Sequence, residues 1–306
     1  MTALLLAVVA PSFFFFLRHA KPDFDAARAF EEIERQVAFG PRVPGSEGHQ
    51  KARAYFVETL QQHADRVSEQ AFTYTDRHDS TKIHEGVNIL ASFNLQPTVN
   101  KRVLLAAHWD TRPVADRDPD PARHTRPVPG ANDGASGVAV LLEMARLLHI
   151  DPPDIGVDIV LFDLEDLGDE GEPDSIGVKN PFAIGSAYFA EHQSDYRPTF
   201  GILLDMVCDK NLRIPREGHS VARARPIVDK VWAAAKKVGA SAFLDEPGPA
   251  ITDDHVAFLQ RGIRVIDLIH TPFPSYGHTT EDTPDQCSEE SLQQVGDVLV
   301  EVIYSE

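Results

Sequence analysis

Short apolar runs of strand type alternate with amphipathic helical segments along most of the chain, and this alternation restricts the possible folds more than any other feature. The segment 136–149 is one example, because its apolar residues recur at the 3.6-residue period of a helix. We predict strands at 86–93, 103–107, 157–162, 202–207 and 265–269, and helices at 24–39, 50–64, 136–149, 222–238 and 288–304. The pattern therefore predicts a single α/β domain, in which helices flank a central, mostly parallel mixed sheet.

The net charge of the chain restricts the kinds of molecule that it can bind. The 306 residues carry a formal net charge of −18 at pH 7. Binding to a nucleic-acid backbone requires a surplus of Lys and Arg, so we expect no nucleic-acid partner. The acidity is typical of a soluble surface, and it also leaves open an attraction for cationic groups such as the free amino group of a peptide.

The two cysteines, Cys208 and Cys287, are too few for a disulfide scaffold or a zinc finger. We expect two ordinary buried thiols, while a single disulfide between them stays open. Cysteine usage therefore leaves the cellular compartment undecided.

The N-terminus is strongly apolar. Residues 3–17 read ALLLAVVAPSFFFFL and are followed by Arg18, His19 and Lys21. This run is short for a membrane span, which takes about 20 residues, and it suits the core of a signal peptide. No Lys or Arg precedes it and no clear cleavage site follows, so a buried N-terminal segment is the alternative. We expect residues 1–22 to direct export to the periplasm or to anchor the chain in a membrane, and the catalytic domain to occupy residues 23–306.

Histidine and carboxylate side chains follow the predicted strands. In open α/β sheets ligands bind beyond the carboxyl ends of the strands. The residues delivered to that edge are His108, Asp110, Asp133, Glu165, Asp166, Asp205 and His278. Each one alone has a simpler explanation, such as a helix cap for Asp133 or a surface loop for His278. Together they form a nitrogen and oxygen ligand set that suits one or two Zn²⁺ ions. Asp110 would then orient a neighbouring ligand or His108.

Other catalytic patterns are weaker. The sequence has no GxSxG motif, and its glycine-rich stretch GPRVPGSEG is neither GxGxxG nor a P-loop. The loop 112–129 is too long for a plain connection, which indicates a functional role for it.

Six motifs in this order resemble the zinc-dependent M28 peptidase superfamily: AHWDTRP, GANDGASGVAVLLE, LFDLED, LLDM, ITDDHVAF and GHTTEDT. Within it they are most similar to the animal-type (type II) glutaminyl-peptide cyclotransferases and their bacterial members. The resemblance covers residues 30–306 and implies the M28 aminopeptidase-like sandwich fold. It also implies peptides or proteins with N-terminal glutamine as substrates, and we expect a monomer.

The resemblance implies a role for each matching residue. One zinc ion would be held by Asp133, Asp166 and His278, with Glu165 as the general acid and base. Asp205 and Asp253 would complete a carboxylate network. In the two-metal aminopeptidases of this fold, the positions that match His108 and Asp205 bind the second metal, and the position that matches Asp133 bridges the two ions.

Two enzymes therefore compete: a one-zinc cyclase that converts N-terminal glutamine to pyroglutamate with release of ammonia, and an aminopeptidase with one or two metals. Asp253 matches the cyclases, whereas many aminopeptidases have Ser there. A catalytically inactive binding protein is a third hypothesis, which the intact ligand set disfavours. One position departs from the cyclase pattern, because Gly277 stands where a pocket Trp is usual. Either Phe273 or Tyr276 would then supply the aromatic wall, or the substrate specificity has drifted from that of the cyclases. The simpler explanation of Phe273 is a loop anchor.

Overall fold

The computed structural model describes residues 20–76, 79–168, 182–193 and 195–306. Its strands are β1 (Arg66–Thr75), β2 (Ile83–Phe93), β3 (Arg102–His108), β4 (Gly156–Phe162), β5 (Phe200–Asp205), β6 (Ile214–Arg216), β7 (Phe243–Pro247) and β8 (Val265–Ile269). Its helices are α1 (Ala26–Ala38), α2 (Glu47–Gln61), α3 (Ala135–Ile150), α4 (Ile184–His192), α5 (Gly218–Val238), α6 (Asp254–Gln260) and α7 (Glu289–Ile303). All ten predicted elements are present within a few residues of their predicted bounds.

Six strands form one mixed sheet in the order β1-β2-β4-β3-β5-β8. The strands β4, β3, β5 and β8 run parallel to one another, and β2 and then β1 extend the sheet beyond β4 with antiparallel pairs. The carboxyl ends of the four parallel strands consequently lie at one edge. The predicted α/β class and its mostly parallel sheet are confirmed.

Two apolar cores cover the two faces of the sheet. Successive side chains of a strand point to opposite faces of the sheet. In β3, Leu105 therefore enters the larger core and its neighbour Leu104 enters the smaller one. The larger core contains residues of α1, α2, α3, α5 and α7, and the smaller one contains residues of α4 and α6. All seven residues of β4 are buried, which explains why this strand is apolar without alternation.

The elements that the sequence did not predict lack an apolar pattern. The edge strand β1 is exposed at most positions. The pair β6 and β7 is short and forms a separate two-stranded sheet. Helices α4 and α6 have nine and seven residues, so each offers too few turns for a clear helical period.

Cys208 and Cys287 form a disulfide, with their Cα atoms 4.7 Å apart. The expectation of two ordinary thiols is therefore wrong. Cys208 lies just after β5 and Cys287 just before α7, where the Ser288 N–H donates to the carbonyl of Cys208 at 2.9 Å. The chain path brings together two residues that are 79 positions apart, and no local sequence pattern reports that contact.

Most of the predicted N-terminal segment, residues 1–19, lies outside the described residues. Lys21 is described, and its ammonium group lies 2.7 Å from the Glu301 carboxylate of α7. Within the described ranges, no helix is both long and apolar enough to cross a membrane.

Candidate active site

The predicted site residues converge at the carboxyl edge of the sheet. His108 ends β3, Asp205 ends β5, and Glu165 and Asp166 follow β4. A cavity of about 360 Å³ opens there. The predicted residues that line it are Asp133, Glu165, Asp166, Asp205, Asp253, Phe273 and His278. Five separate segments of the chain supply these side chains, as the strand-end argument predicts.

Asp110 holds the backbone that carries the adjacent carboxylates. Its two carboxylate oxygens accept the N–H groups of Glu165 and Asp166 at 3.0 and 3.1 Å. Leu164, just before them, has a left-handed backbone with φ of 57°. His108 Nδ1 lies 3.6 Å from Asp110, so this carboxylate also faces the imidazole. Asp110 therefore orients its neighbours, as its predicted supporting role requires.

Asp282 performs the same task for the loop before α3. Its carboxylate accepts the N–H groups of Asn132 and Asp133 at 2.8 and 3.1 Å. Gly134 follows with φ of 107°, and a Cβ atom there would lie 2.8 Å from the His108 ring. The sequence analysis missed Asp282, although the residue lies in the GHTTEDT motif.

Two buried arginines also escaped the sequence analysis. Arg42 donates to the carbonyls of Trp109, Pro129 and Gly130 at 3.0, 3.1 and 2.5 Å. Burial lowers the pKa of Arg42 to about 10. Arg112 donates to one oxygen of Asp166 at 3.2 Å and also pairs with Asp116. Neither arginine belongs to a pattern with a helical or strand period, so only the folded chain shows its role.

Asp133, Asp166 and His278 form a compact donor set. His278 Nε2 lies 3.5 Å from an oxygen of Asp133 and 3.5 Å from an oxygen of Asp166. Ligand atoms at about 2.0–2.2 Å from a tetrahedral zinc ion lie roughly 3.3–3.6 Å from one another. The second oxygen of Asp166 is buried and has no hydrogen-bond partner among the described residues. The geometry, the donor chemistry and this unsatisfied oxygen all fit a bound zinc ion.

His108 joins the same cluster from the other side. Its Nε2 lies 3.1 Å from Asp133 and 3.3 Å from Asp205. Although burial opposes a charged imidazole, the neighbouring carboxylates of Asp110, Asp133 and Asp205 raise the pKa of His108 well above its usual value. The trio of His108, Asp133 and Asp205 can therefore form a hydrogen-bonded network or hold a second cation.

Glu165 presents its carboxylate to the cavity. Burial raises the pKa of Glu165 well above its usual value, and the charges of Asp253 and Asp166 raise it further. Burial and neighbouring carboxylates likewise raise the pKa of Asp205 to about 7. Such proton affinities suit groups that exchange protons near neutral pH. A bound cation at the adjacent donor set would lower them.

Behind Asp253 lies a second buried acidic cluster. Burial raises the pKa of Asp253, and it raises the pKa of Asp254 and Asp267 well above the usual value. His255 faces this cluster, with Nδ1 3.9 Å from Asp267 and Nε2 3.2 Å from Glu217. Asp253 thus connects the cavity to a group of buried carboxyls whose pKa values are raised by burial.

Phe273 and Tyr276, the two predicted wall residues, have different surroundings. Phe273 lines the cavity, with its ring 4.9 Å from the His278 ring and the Arg117 guanidinium 4.6 Å from its centroid. Tyr276 is not among the described lining residues, and its hydroxyl instead donates to Asp209 at 2.6 Å. A Cβ atom on Gly277 would lie 2.4 Å from the Phe273 ring. The ring of Phe273 therefore packs directly on the backbone where the family usually has Trp.

Comparison with known sequences gives one family match. A sequence profile of peptidase family M28 matches residues 88–303. Among curated proteins, aminopeptidase YwaD of Bacillus subtilis is 29% identical over 66% of this chain, which spans 40% of that relative's length. The glutaminyl-peptide cyclotransferase of Bos taurus is 24% identical over 84% of this chain and 76% of its own.

Solved structures match over nearly the whole chain. The glutaminyl cyclase of Bacteroides thetaiotaomicron is 39% identical, with a TM-score of 0.88, over 94% of this chain and 100% of its own. A Zn-dependent exopeptidase from Parabacteroides distasonis is 40% identical, with a TM-score of 0.86, over the same shares. The relatives therefore carry both of the activities that the sequence leaves in competition.

Proposed function

The chain belongs to peptidase family M28, and from this membership and the site geometry we propose that it is a zinc-dependent glutaminyl-peptide cyclotransferase. Its substrates are peptides or proteins with N-terminal glutamine, and residues 23–306 form its catalytic domain. The observation that carries the proposal is the donor set Asp133, Asp166 and His278 beside Glu165, in a chain that superposes on the glutaminyl cyclase of Bacteroides thetaiotaomicron over 94% of its length.

The reaction needs little from the protein except activation and proton transfer. Asp133, Asp166 and His278 would hold the zinc ion, which when bound would supply a Lewis acid for the γ-carboxamide of the substrate. The α-amine of the same residue attacks that carbonyl carbon, so the reacting groups are already held together. Glu165 accepts the proton of the attacking amine and delivers it to the leaving nitrogen, and ammonia departs as the ring closes. The charge of Asp253 raises the proton affinity of Glu165, and it also raises the pKa of Asp205 beside it in the cavity.

The walls of the cavity suit a side chain that reacts without external water. Met206, Ile251, Ile269, Pro272 and Phe273 supply an apolar surface to the same cavity that the carboxylates line. An apolar wall excludes water from the carboxamide and so favours cyclisation over hydrolysis. This arrangement supports the cyclase over an enzyme that must admit a nucleophilic water molecule.

The aminopeptidase remains the second candidate, because one specific observation favours it. His108, Asp133 and Asp205 offer donor atoms close enough to hold a second ion. With ions held at both donor sets, the site would supply an activated water molecule, and Glu165 would take the proton of that water.

One experiment distinguishes the two enzymes. The purified protein is incubated with a glutamine-initiated and a leucine-initiated fluorogenic peptide amide, and bound zinc is counted by elemental analysis. We expect pyroglutamate and ammonia from the first substrate, no cleavage of the second, and one zinc ion per chain. Release of leucine with two metal ions per chain would overturn the cyclase.

We also propose that the protein is exported and monomeric. The disulfide between Cys208 and Cys287 supports export, because such bonds persist in oxidising compartments. Fractionation of the source cells tests the location, and light scattering tests the oligomeric state. Recovery of the protein from the cytoplasm with reduced cysteines would contradict export.

A further inference from the structure

His270 lies in the catalytic cavity and has no role in the chemistry described above. It follows β8 directly, and its side chain is 6% exposed and lines the cavity. Its backbone neighbour Ile269 is the register partner of Asp205 at the end of β5. His270 therefore lies one residue beyond the position opposite Asp205, and this step along the strand is about 3–4 Å.

The hydrogen bonding of the ring determines which nitrogen carries the proton. Nδ1 of His270 accepts the backbone N–H of Arg213 at 3.1 Å, so Nδ1 is unprotonated. In a neutral imidazole the other nitrogen must then carry the hydrogen. Burial lowers the pKa of His270, which supports the neutral form at pH 7. The ring is consequently a fixed donor through Nε2.

Nε2 of His270 has no hydrogen-bond partner among the described residues. It is also not among the unpaired polar atoms that are completely buried, so it can be reached from the cavity. A donor at this position is satisfied by water or by a ligand group that enters the cavity. The cavity is the space that this side chain lines, so an acceptor for Nε2 must enter from there.

The substrate offers a suitable acceptor at this position. When the α-amine and the γ-carboxamide lie at the carboxylate cluster, the nearest remaining polar group is the carbonyl of the first peptide bond. Five of the polar side chains around the cavity are acidic and repel a carbonyl oxygen: Asp133, Glu165, Asp166, Asp205 and Asp253. Arg117 also lines the cavity, with its guanidinium 4.6 Å from the centroid of the Phe273 ring. We propose that His270 binds the substrate by donating its Nε2 hydrogen to the carbonyl oxygen of the peptide bond that follows the N-terminal glutamine. This inference rests on the proposed function and identifies the peptide unit as part of what the site recognises.

A pair of substitutions separates substrate binding from a structural role. Asn in His270→Asn places its side-chain oxygen near the position of Nδ1 and keeps the bond from Arg213, but it has no group at the position of Nε2. Gln in His270→Gln carries an amide nitrogen at about the reach of Nε2 and serves as the rescue. If His270 only anchors Arg213, the Asn variant should behave like the wild type.

Two substrates separate recognition from chemistry. Gln-Ala-amide has the first peptide bond, whereas 4-aminopentanamide has a methyl group in its place and still cyclises to a lactam with loss of ammonia. For His270→Asn we expect KM for Gln-Ala-amide to rise about three- to ten-fold, with kcat within twofold, because one net hydrogen bond is lost. We expect no change in kcat/KM for 4-aminopentanamide, unchanged zinc content and an unchanged Tm, and partial recovery of KM in His270→Gln.

Each alternative outcome has a distinct meaning. Wild-type kinetics of His270→Asn with Gln-Ala-amide would overturn the inference, and so would an equal loss on both substrates. If the wild-type protein cyclises neither substrate, the proposed cyclase function fails and the inference falls with it. Cyclisation by the wild type with an unaffected Asn variant leaves the function standing and removes His270 alone.

Discussion

Adjacent carboxylates at the end of a strand repel one another, yet Glu165 and Asp166 have different partners. Asp110 accepts both of their N–H groups and so fixes the backbone between them. Asp166 faces His278 and Arg112, which offset its charge. Glu165 faces the cavity, where burial and nearby carboxylates raise its pKa. The two neighbours therefore have different surroundings, and the proposed roles of Asp166 as a metal ligand and Glu165 as the proton-exchanging group can be tested separately.

Glu165→Gln removes the proton acceptor and preserves the shape of the side chain. We expect the variant to retain its zinc and to lose about 10²–10⁴-fold in kcat, which is the usual contribution of a positioned acid or base. Steady-state kinetics and zinc analysis of the same preparation check this result. Near-normal turnover would remove Glu165 from the mechanism.

Asp166→Ala should affect the metal instead. The substitution removes one of three protein ligands and leaves Arg112 without a buried partner, so we expect loss of most bound zinc after dialysis. Elemental analysis measures the metal, and Glu165→Gln from the same strand end is the matched control. Full zinc occupancy in Asp166→Ala would show that the ligand set lies elsewhere.

At the scale of elements, Glu217 ties α5 to α6 behind the cavity. Its carboxylate accepts the N–H groups of His219 and Ser220 at the start of α5 and contacts His255 of α6. Although burial opposes ionisation, the hydrogen bonds from His255 and Ser220 hold the pKa of Glu217 at about 2. Asp253 lines the cavity and directly precedes α6, so the contact between Glu217 and His255 also supports one wall of the cavity.

The low pKa of Glu217 predicts how stability depends on pH. The pKa falls from 4.5 in the unfolded chain to about 2 in the folded one. Its ionised form therefore stabilises the fold above about pH 4.5, and this contribution disappears as the pH falls towards 2. For Glu217→Gln we expect a loss of roughly 1–2 kcal/mol at pH 7, reduced for solvent screening, and a smaller loss at pH 3. Urea unfolding at both pH values measures it, and an equal loss at each would contradict the assignment.

At the scale of the whole molecule, the disulfide joins the segment after β5 to the start of α7. It closes a long loop, since the cysteines lie 79 residues apart. The segment that it holds also carries Asp209, which binds the hydroxyl of Tyr276 next to the His278 loop. The bond therefore restrains the unfolded chain and supports the periphery of the site.

Replacing both cysteines tests this restraint. For the double variant Cys208→Ala/Cys287→Ala we expect a loss of about 2–4 kcal/mol in the free energy of unfolding. Denaturant unfolding with and without a reductant measures it, with the reduced wild type as the control. The variant should not respond to reductant, and a midpoint equal to that of the oxidised wild type would show that the bond adds no stability.

Local patterns in the chain were enough to predict the α/β class, the ten main elements and the edge at which His108, Asp133, Glu165, Asp166 and His278 meet. Burial imposes a period on each strand and helix, and parallel strands bring their carboxyl ends together whatever their order. Family resemblance then added an expected role for each site residue. The predictions of the fold and of that edge succeeded because each depends on neighbouring residues or on one rule of topology, whereas the roles of the site residues stay predictions.

The tertiary structure alone decided which distant residues meet. It paired Cys208 with Cys287, placed Arg112 on Asp166, and put Phe273 rather than Tyr276 on the cavity wall. It also left the Nε2 of His270 without a partner among the described residues beside the acidic cluster. No periodic pattern or fixed spacing in the sequence reports these contacts, because they depend on the path of the chain between elements. Periodicity records which face of an element is buried, whereas the partner on that face is known only when the elements have packed.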